Sequence, residues 1–599
     1  IYIYIYVKID NYKFISIIMK KRRKTSNQNN NNDKNYLNIM KGKFYNNYLF
    51  KLILFRIMNA LIVDTYFNPD EFWQGPEVAH NMVFGYGHLS WEWKLNAKLR
   101  GATHPLLLFA IPYKFLQILG IDTPLLVAIT PRIVQGIIAG IGDAYIYLYA
   151  LKIFKNEDIA YLALFCSIFS WFHFYCLIRT FSNSIETVLT IISLYYWPLI
   201  TTSLSKEEDE DTNGVLSSSR MYGLFWCGAC VTMRPTSAVL WLYVGLCEIY
   251  RVKTWKGRFN MLFYELIPAI FFWLFTSLLI DRWFYGEWTV VLFNFFEFNF
   301  VKGLDKLYGT HPFYWYFTEG FTANVAFFLP IYFYSVYNVY FVLHNKSKYT
   351  FEMKYLYGLT MFTMCIFSFG GHKEFRFILP LLPIVFIQCG YALFEIKQKI
   401  SERSYKYILS FLILTNILLG TYVSVYHQSS PTKIMKFLRN EATENGGNDD
   451  GRVLKSVHFL MPCHSTPYYS HLHQDIPMWF IDCSPPYMVK PETETQQIKY
   501  FDENPLAFVN DLYFNNKNDA KLVTKQYNKK DHDQYIIVKW YHEQLPSHIV
   551  TFDTYEKRIM PFLTKHGYEK KKEIFHSHIK GDADSNEHFQ YASVWYREI

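Results

Sequence analysis

The sequence predicts a mainly α-helical, polytopic membrane protein of about eleven transmembrane helices, followed by a C-terminal mixed α/β domain. Three observations predict it. The 599 residues are 51% hydrophobic and 20% aromatic but only 19% charged, with a mean hydropathy of +0.00, which is apolar for a water-soluble enzyme of this length. Apolar stretches long enough to cross a bilayer recur as far as residue 426 and then stop. Basic clusters fall in alternate gaps between those stretches, as the positive-inside rule requires.

The elements follow in order. The chain opens on Ile, and "IYIYIYVKID" reads as a fragment edge or translated upstream sequence, with Met19 or Met40 as candidate starts. Low-complexity sequence at 27–33 makes residues 1–47 a cytosolic, largely disordered extension. No small-residue cleavage site follows a compact apolar stretch, so no cleavable signal is expected. Spans are expected near 48–67, 105–120, 124–150, 158–178, 183–203, 221–250, 261–283, 322–343, 355–370, 376–396 and 407–426. The first carries Lys51 and Arg56, and the second is short and holds Pro112. Lys20–Lys24, the Arg251/Lys253/Lys256/Arg258 loop, Lys346/Lys348/Lys354 and Lys397/Lys399/Arg403/Lys406 all belong on the cytosolic side. The acidic run at 206–211 weighs little in that rule. The opposite side receives 68–104, 284–321, 370–376 and everything after 426. Three regions result: 1–47, a transmembrane catalytic region 48–426 with the loop 68–104, and a soluble domain 427–599. The last lacks long apolar runs, and "QYIIVKWYHEQL" and "FLTKHGYEKKKEIFHSH" read as mixed strand and helix, enough for one small domain.

Composition also excludes. The net charge of +9 is modest and no segment interleaves basic with aromatic residues, so nucleic acid is not an expected partner and the membrane is. The nine cysteines form no repeated metal framework, Cys227-Gly-Ala-Cys230 being a lone pair inside an apolar run.

The candidate chemistry begins at "DTYFNPDEFWQGPEVAH", residues 64–80. Read as plain structure, Asn68 is a favoured N-cap, Pro69 suits the first helical position, Glu71 completes a capping box and Asp70 favours the positive end of the helix dipole. Read as a site, Asp64, Asp70, Glu71, Glu77 and Glu92 crowd one non-cytosolic loop. Asp70, Gln74, Glu77 and Asn81 recur at helical spacing, which would give one polar face, with Phe72, Trp73, Val78 and Met82 at the lipid interface. Trp91-Glu92-Trp93 and Arg100 follow. The two Trp suit an interfacial belt, but the acid between them and the Arg downstream call for partners.

Ionisable groups in or beside spans are expensive and usually face a cavity or a partner. Arg179 in "CLIRTFSNSIET", with Glu186 seven residues on, is one. Arg234-Pro235 is another, and His372-Lys373-Glu374-Phe375-Arg376 is the densest. Snorkelling at a helix end is the plain reading, most apt for Arg234. Phosphate binding is the functional one.

"TYFNPDEFWQGPEVAH", "FGYGHLSWEW", "RTFSNSIETVLT", "RPTSAVLW", "HKEFRFILPLLP" and "MPCHSTPYYSHLH" together resemble the dolichyl-phosphate-mannose-dependent glycosyltransferase family 22, of GT-C fold. The tail block and the Trp-Glu-Trp loop are most similar to its branch acting on glycosylphosphatidylinositol (GPI) precursors. One departure is Asn68, where many members have His. The resemblance implies transfer of a mannose from dolichyl-phosphate-mannose to the second mannose of a lipid-linked GPI precursor, in α-1,2 linkage, in the endoplasmic reticulum lumen. The donor is β-linked, so the transfer inverts. Such a reaction needs a base at the attacking hydroxyl and stabilisation of the departing phosphate. Asp70 is the expected base, with Glu71 next. His372, Lys373 and Arg376, with Arg100, are expected at the phosphate, ahead of Arg179 and Arg234. Asp64, Glu77, Glu92 and Glu374 complete the expected substrate-binding set. No cofactor or metal is expected, since phosphate on a lipid carrier is a workable leaving group. An N-glycan mannosyltransferase with the same donor, or a multispan transporter, are the competing readings; the first lacks the tail block and the second the internal repeats.

In the tail, His458, Cys463, His464, His471, His473 and Cys483 suggest zinc, but an oxidising lumen favours a Cys463–Cys483 disulfide, with free thiols as the third reading. Asn345-Lys-Ser347 is a glycosylation sequon on the expected cytosolic side, where it is unused.

Overall fold

The computed structural model of the protein describes residues 39–94, 97–199, 218–342, 348–444, 454–484, 497–515, 545–579 and 589–598. The Lys20–Lys24 cluster, the 206–211 run, the Asn345 sequon and nearly all of "QYIIVKWYHEQL" lie outside them. Among the described residues five helical runs are long and apolar enough to cross a membrane: Pro124–Phe154, Trp255–Tyr285, Tyr316–Val342, Phe375–Lys399 and Glu402–Val425. Each covers an expected span. The other expected spans correspond, among the described residues, to helices that are too short or not apolar enough for that, and two of them break. The 221–250 stretch forms helices Ser218–Met233 and Ala238–Arg251, separated by a turn at Pro235–Ser237. Proline has no N–H to continue the ladder, and Arg234 before it adopts an extended backbone (φ −146°, ψ 102°). The 158–178 stretch breaks at Ser170, whose hydroxyl accepts from the His173 N–H and starts a second helix.

The chain divides into two compact units, one of residues 1–60, 135–277 and 308–420, the other of 61–134, 278–307 and 421–599. Compactness therefore does not follow the linear partition at 426, because residues 61–134 fold together with the tail.

Within the first unit glycines set how closely helices approach. Gly136 and Gly140, one turn apart, face the backbone of residues 52–57, and a Cβ on Gly140 would lie 2.6 Å from Ile53 Cα. Gly390 stands against the Ala163 backbone in the same way. Small residues permit such contacts in apolar surroundings. Gly140→Leu is therefore expected to destabilise by about 1–3 kcal/mol or more through overpacking, read as a lower thermal midpoint in detergent. Gly245→Ala, at a position with nothing within 4 Å, should leave it unchanged. The same helix pair carries Arg56 and Asp143, both fully buried. The guanidinium donates twice to the carboxylate, Nε to Oδ2 at 2.6 Å and Nη2 to Oδ1 at 3.1 Å. Ser167 and Asn59 complete the set: Ser167 Oγ donates to Asp143 at 2.8 Å, and Arg56 donates to Asn59 Oδ1 at 3.1 Å.

The second unit holds a five-stranded mixed sheet. Its strands are β1 (Val457–Leu460), β2 (Met478–Phe480), β3 (His548–Phe552), β4 (Glu569–Phe575) and β5 (Tyr591–Tyr596), in the order β2-β1-β3-β5-β4. β1 pairs in parallel with β2 and β3, while β5 runs antiparallel to β3 and β4. β1, β2 and β3 are buried throughout, and the lysine-rich edge strand β4 is largely exposed. The helix Asp553–Lys565 follows β3 and covers the sheet with Ile559, Phe562 and Leu563. Tyr66, Phe72 and Trp73 belong to this same core.

Candidate active site

The sequence-selected residues fall into two groups, one in each unit. The first is built on the loop at 64–104. Its helix begins at Asp70 rather than at Pro69, and runs only to Trp73. Pro69 occupies the cap position and no side chain caps the helix, so the expected Asn68–Glu71 capping box does not form. Glu71 is drawn elsewhere: its carboxylate, fully buried, pairs with Arg132 at 2.9 Å. Arg132 also donates to the carbonyls of Val63 and Thr65, the latter at 3.3 Å. One guanidinium thus fixes both ends of the segment leading into Asp70. Arg132 lies inside an apolar run and sequence reasoning passed over it.

A second helix, Pro76–Phe84, starts after a break at Gly75, so Asp70, Gln74, Glu77 and Asn81 do not share one helical face. Phe72, Trp73 and Val78 do not meet lipid either. They are 1%, 2% and 0% exposed. Trp73 packs edge-on to Tyr468 and Phe480, and its indole N–H donates to the Thr466 carbonyl at 3.0 Å. The tail covers Phe72 and Trp73, while Val78 packs with Leu89, Trp93, Ala102, Tyr285 and Val291. Trp91 and Trp93 are likewise buried in a short turn, and Trp93 donates to the Trp73 carbonyl at 3.2 Å.

The remaining acids of the loop are engaged at defined partners. Asp64 pairs with Lys436 at 2.7 Å, and Glu92 pairs with Arg100 at 2.7 Å and accepts from Gln74 at 3.4 Å. Glu77 is fully buried and accepts from the Tyr468 N–H (2.7 Å), the Ser470 N–H (3.2 Å) and the Ser470 hydroxyl (2.5 Å). Burial pushes its carboxyl up to about 7, against the pull of those donors. The folded value exceeds the unfolded one, so the group favours the fold below about pH 4.5, and that contribution is lost as pH rises through about 7. We expect stability to fall by up to ~3 kcal/mol across that window from Glu77 alone, and Glu77→Gln to flatten the dependence, as read by thermal midpoint against pH. Asp70 itself is half-buried at the start of its short helix.

The second group belongs to the other unit. Glu374 accepts from Arg376 Nε and Nη2, both at 2.6 Å, and faces His372 Nε2 at 3.0 Å. Burial acts to raise the Glu374 carboxyl, but Arg376 and His372 outweigh it and hold it well below the usual carboxylate range. Lys373 donates to the carbonyls of Gly370 (2.6 Å) and His311 (3.0 Å). Arg234 pairs with Glu186 at 3.1 Å and donates to the Ser182 hydroxyl at 3.1 Å. The Arg234 and Arg376 guanidiniums both lie over the Phe377 ring, 5.0 and 5.5 Å from its centre, and Arg376 also lies over Phe181. Three sequence blocks thus meet: the break at Arg234-Pro235, the helix Ser182–Tyr196 and the HKEFR turn. Arg179, fully buried in the turn before that helix, stacks on Tyr175 and donates to its carbonyl at 2.9 Å. In this group the Arg234 and Arg376 guanidiniums are each paired with a carboxylate, Glu186 and Glu374 respectively. Cys463 and Cys483, in the second unit, form a disulfide, which removes both thiolates from any metal set with His464.

The architecture is similar to that of ArnT from Cupriavidus metallidurans bound to undecaprenyl phosphate, with a TM-score of 0.53 over 91% of this chain and 97% of that one. At 8% identity that likeness carries the fold alone. Sequence sets the class: this is a glycosyltransferase. The chain belongs to the Alg9-like mannosyltransferase family, whose model matches residues 48–473. It is 38% identical to Mannosyltransferase APTG1 of Arabidopsis thaliana over 89% of each chain. It is 34% identical to GPI alpha-1,2-mannosyltransferase 3 of Homo sapiens, covering 88% of this chain and 83% of that one. GPI mannosyltransferase 3 of Yarrowia lipolytica is also 34% identical, covering 88% of this chain and 93% of that one.

Proposed function

We propose that this chain transfers the third mannose of a GPI precursor, in α-1,2 linkage, from dolichyl-phosphate-mannose to the second mannose, in the endoplasmic reticulum lumen. The observation that carries the reading is the 34% identity, over 88% of this chain, to a human protein named for that GPI linkage. The acceptor hydroxyl attacks the anomeric carbon from the face opposite the phosphate. A new C–O bond forms as the old one breaks, the phosphate leaves with the electron pair, and configuration inverts. Asp70 takes the hydroxyl proton. Its neighbour Glu71 is committed to Arg132 and is the weaker candidate for the base. Arg376 and Arg234, with His372, Lys373 and Arg179, receive the phosphate charge that develops on the leaving group. Asp64, Glu77, Glu92 and Arg100 on the one unit, and Glu374 on the other, complete the proposed substrate-binding set.

The donor suffices without a metal, so chelation with EDTA should leave turnover within about twofold. The alternating basic loops support about eleven spans, with 68–104 and the tail from 427 on the lumenal side and 1–47 in the cytosol. Microsomes that accumulate precursors lacking the third mannose provide the test. Supplying this chain should complete the precursor, with the added mannose released by an α-1,2-specific mannosidase. Protein present in the membrane without that product would overturn the reading.

A further inference from the structure

The Cys463–Cys483 disulfide closes a loop that holds most of the connection from β1 to its parallel neighbour β2, β2 itself and the residues just after it. This loop binds the acid-bearing segment through main-chain groups. The Tyr66 hydroxyl donates to the His464 carbonyl at 2.7 Å, and the Trp73 indole donates to the Thr466 carbonyl at 3.0 Å. The Glu77 carboxylate accepts from the N–H groups of Tyr468 and Ser470. His88 Nε2 reaches the Met478 carbonyl at 2.8 Å, and His80 Nε2 lies 2.9 Å from His473 Nδ1. Asp70 sits between the first two anchors. Because the anchors are mostly backbone atoms, they depend on the path of the loop more than on its side chains. That path is imposed rather than relaxed: His464 and His473 hold left-handed backbones, with φ of 59° and 47°. A cross-link that fixes both ends narrows the paths available.

We propose that the disulfide-closed 463–483 loop is the positioning element for the Asp70 segment, and that transfer depends on the Cys463–Cys483 bond for that reason. The inference rests on Asp70 being the base. Misplacing a reacting group by about 1 Å can cost about a hundredfold in rate, so a loosened loop acts on turnover without touching the donor. The bond is the disulfide among the described residues, where seven cysteines are free, so a phosphine reductant addresses it.

The experiment uses the full-length protein in detergent, before and after reduction. Two readouts are taken: amide hydrogen exchange across 64–74, and kcat and KM with dolichyl-phosphate-mannose. We expect exchange in 64–74 to quicken at least tenfold and kcat to fall at least tenfold, with donor KM moving less than twofold and reoxidation restoring both. The Cys463→Ser/Cys483→Ser variant should start low and ignore reductant. Unchanged exchange on reduction, or kcat and donor KM falling away together with exchange throughout the chain, overturns the proposal. Exchange that responds in a protein unable to transfer mannose upholds the positioning role and overturns the functional reading instead.

Discussion

Asp70→Asn is expected to lower kcat by about 10²–10⁴-fold, the usual contribution of a positioned general base, at unchanged protein abundance. Asparagine keeps the volume and one acceptor oxygen but cannot take the hydroxyl proton. The helix that Asp70 begins has four residues and no side-chain cap, so its dipole is small and a capping role would be worth roughly 1 kcal/mol at most. Glu71→Gln makes the contrast. It leaves the Arg132 guanidinium facing a neutral amide, so stability and activity should decline together. Asp70→Glu should retain part of the activity, since the carboxylate survives one methylene displaced. Kinetics on a synthetic dimannosyl acceptor, normalised to folded protein, decide the matter: Asp70→Asn turning over at the wild-type rate would remove Asp70 from the reaction.

What the sequence made legible were groups whose chemistry is unusual for their setting. Arg179, Glu186, Arg234 and the HKEFR block stood out because charge in an apolar run is expensive wherever it ends up. That Arg234 and Arg376 share the Phe377 ring was not legible, since those positions come together only through the break at Pro235 and the turn at 370–376. The loop at 64–104 was legible as a cluster of acids, but not in how each acid is used. Glu77 meets Tyr468 and Ser470 nearly four hundred residues along the chain, and no local spacing encodes that. The placement of Phe72, Trp73 and Val78 at lipid failed for a related reason. An apolar stripe states that something covers it, not whether the cover is bilayer or protein. Arg132 escaped notice because it stands within one long apolar helix, where its partners are two carbonyls and a carboxylate from a preceding loop.

Asp143→Asn should be the most destabilising single change among those considered, at about 3–5 kcal/mol, because it strands Arg56 as a buried charge. Both side chains of the pair are 0% exposed, and the Arg56 fork is matched to the carboxylate by two donations. Asparagine would offer one acceptor and a misplaced donor in their stead, and the Ser167 hydroxyl would also lose its anionic acceptor. The surroundings leave Arg56 no route to water: His173 and Asn59, its other contacts, are buried too. Replacing both partners by apolar residues of similar volume, Arg56→Met with Asp143→Leu, removes the charge together with its complement. That double variant should recover most of the loss, because the attraction between the two ions was largely offset by the cost of taking each out of water. Thermal midpoints of the singles and the double, measured in one detergent, give the coupling directly. Purely additive effects, with the double variant the least stable of the three, would mean that the pair is not the constraint that its geometry implies. Turnover per folded molecule should be unaffected in the double variant, since neither residue belongs to the acid loop or to the cationic group. A stability loss without a catalytic one would thus separate what holds the membrane helices together from what moves the mannose.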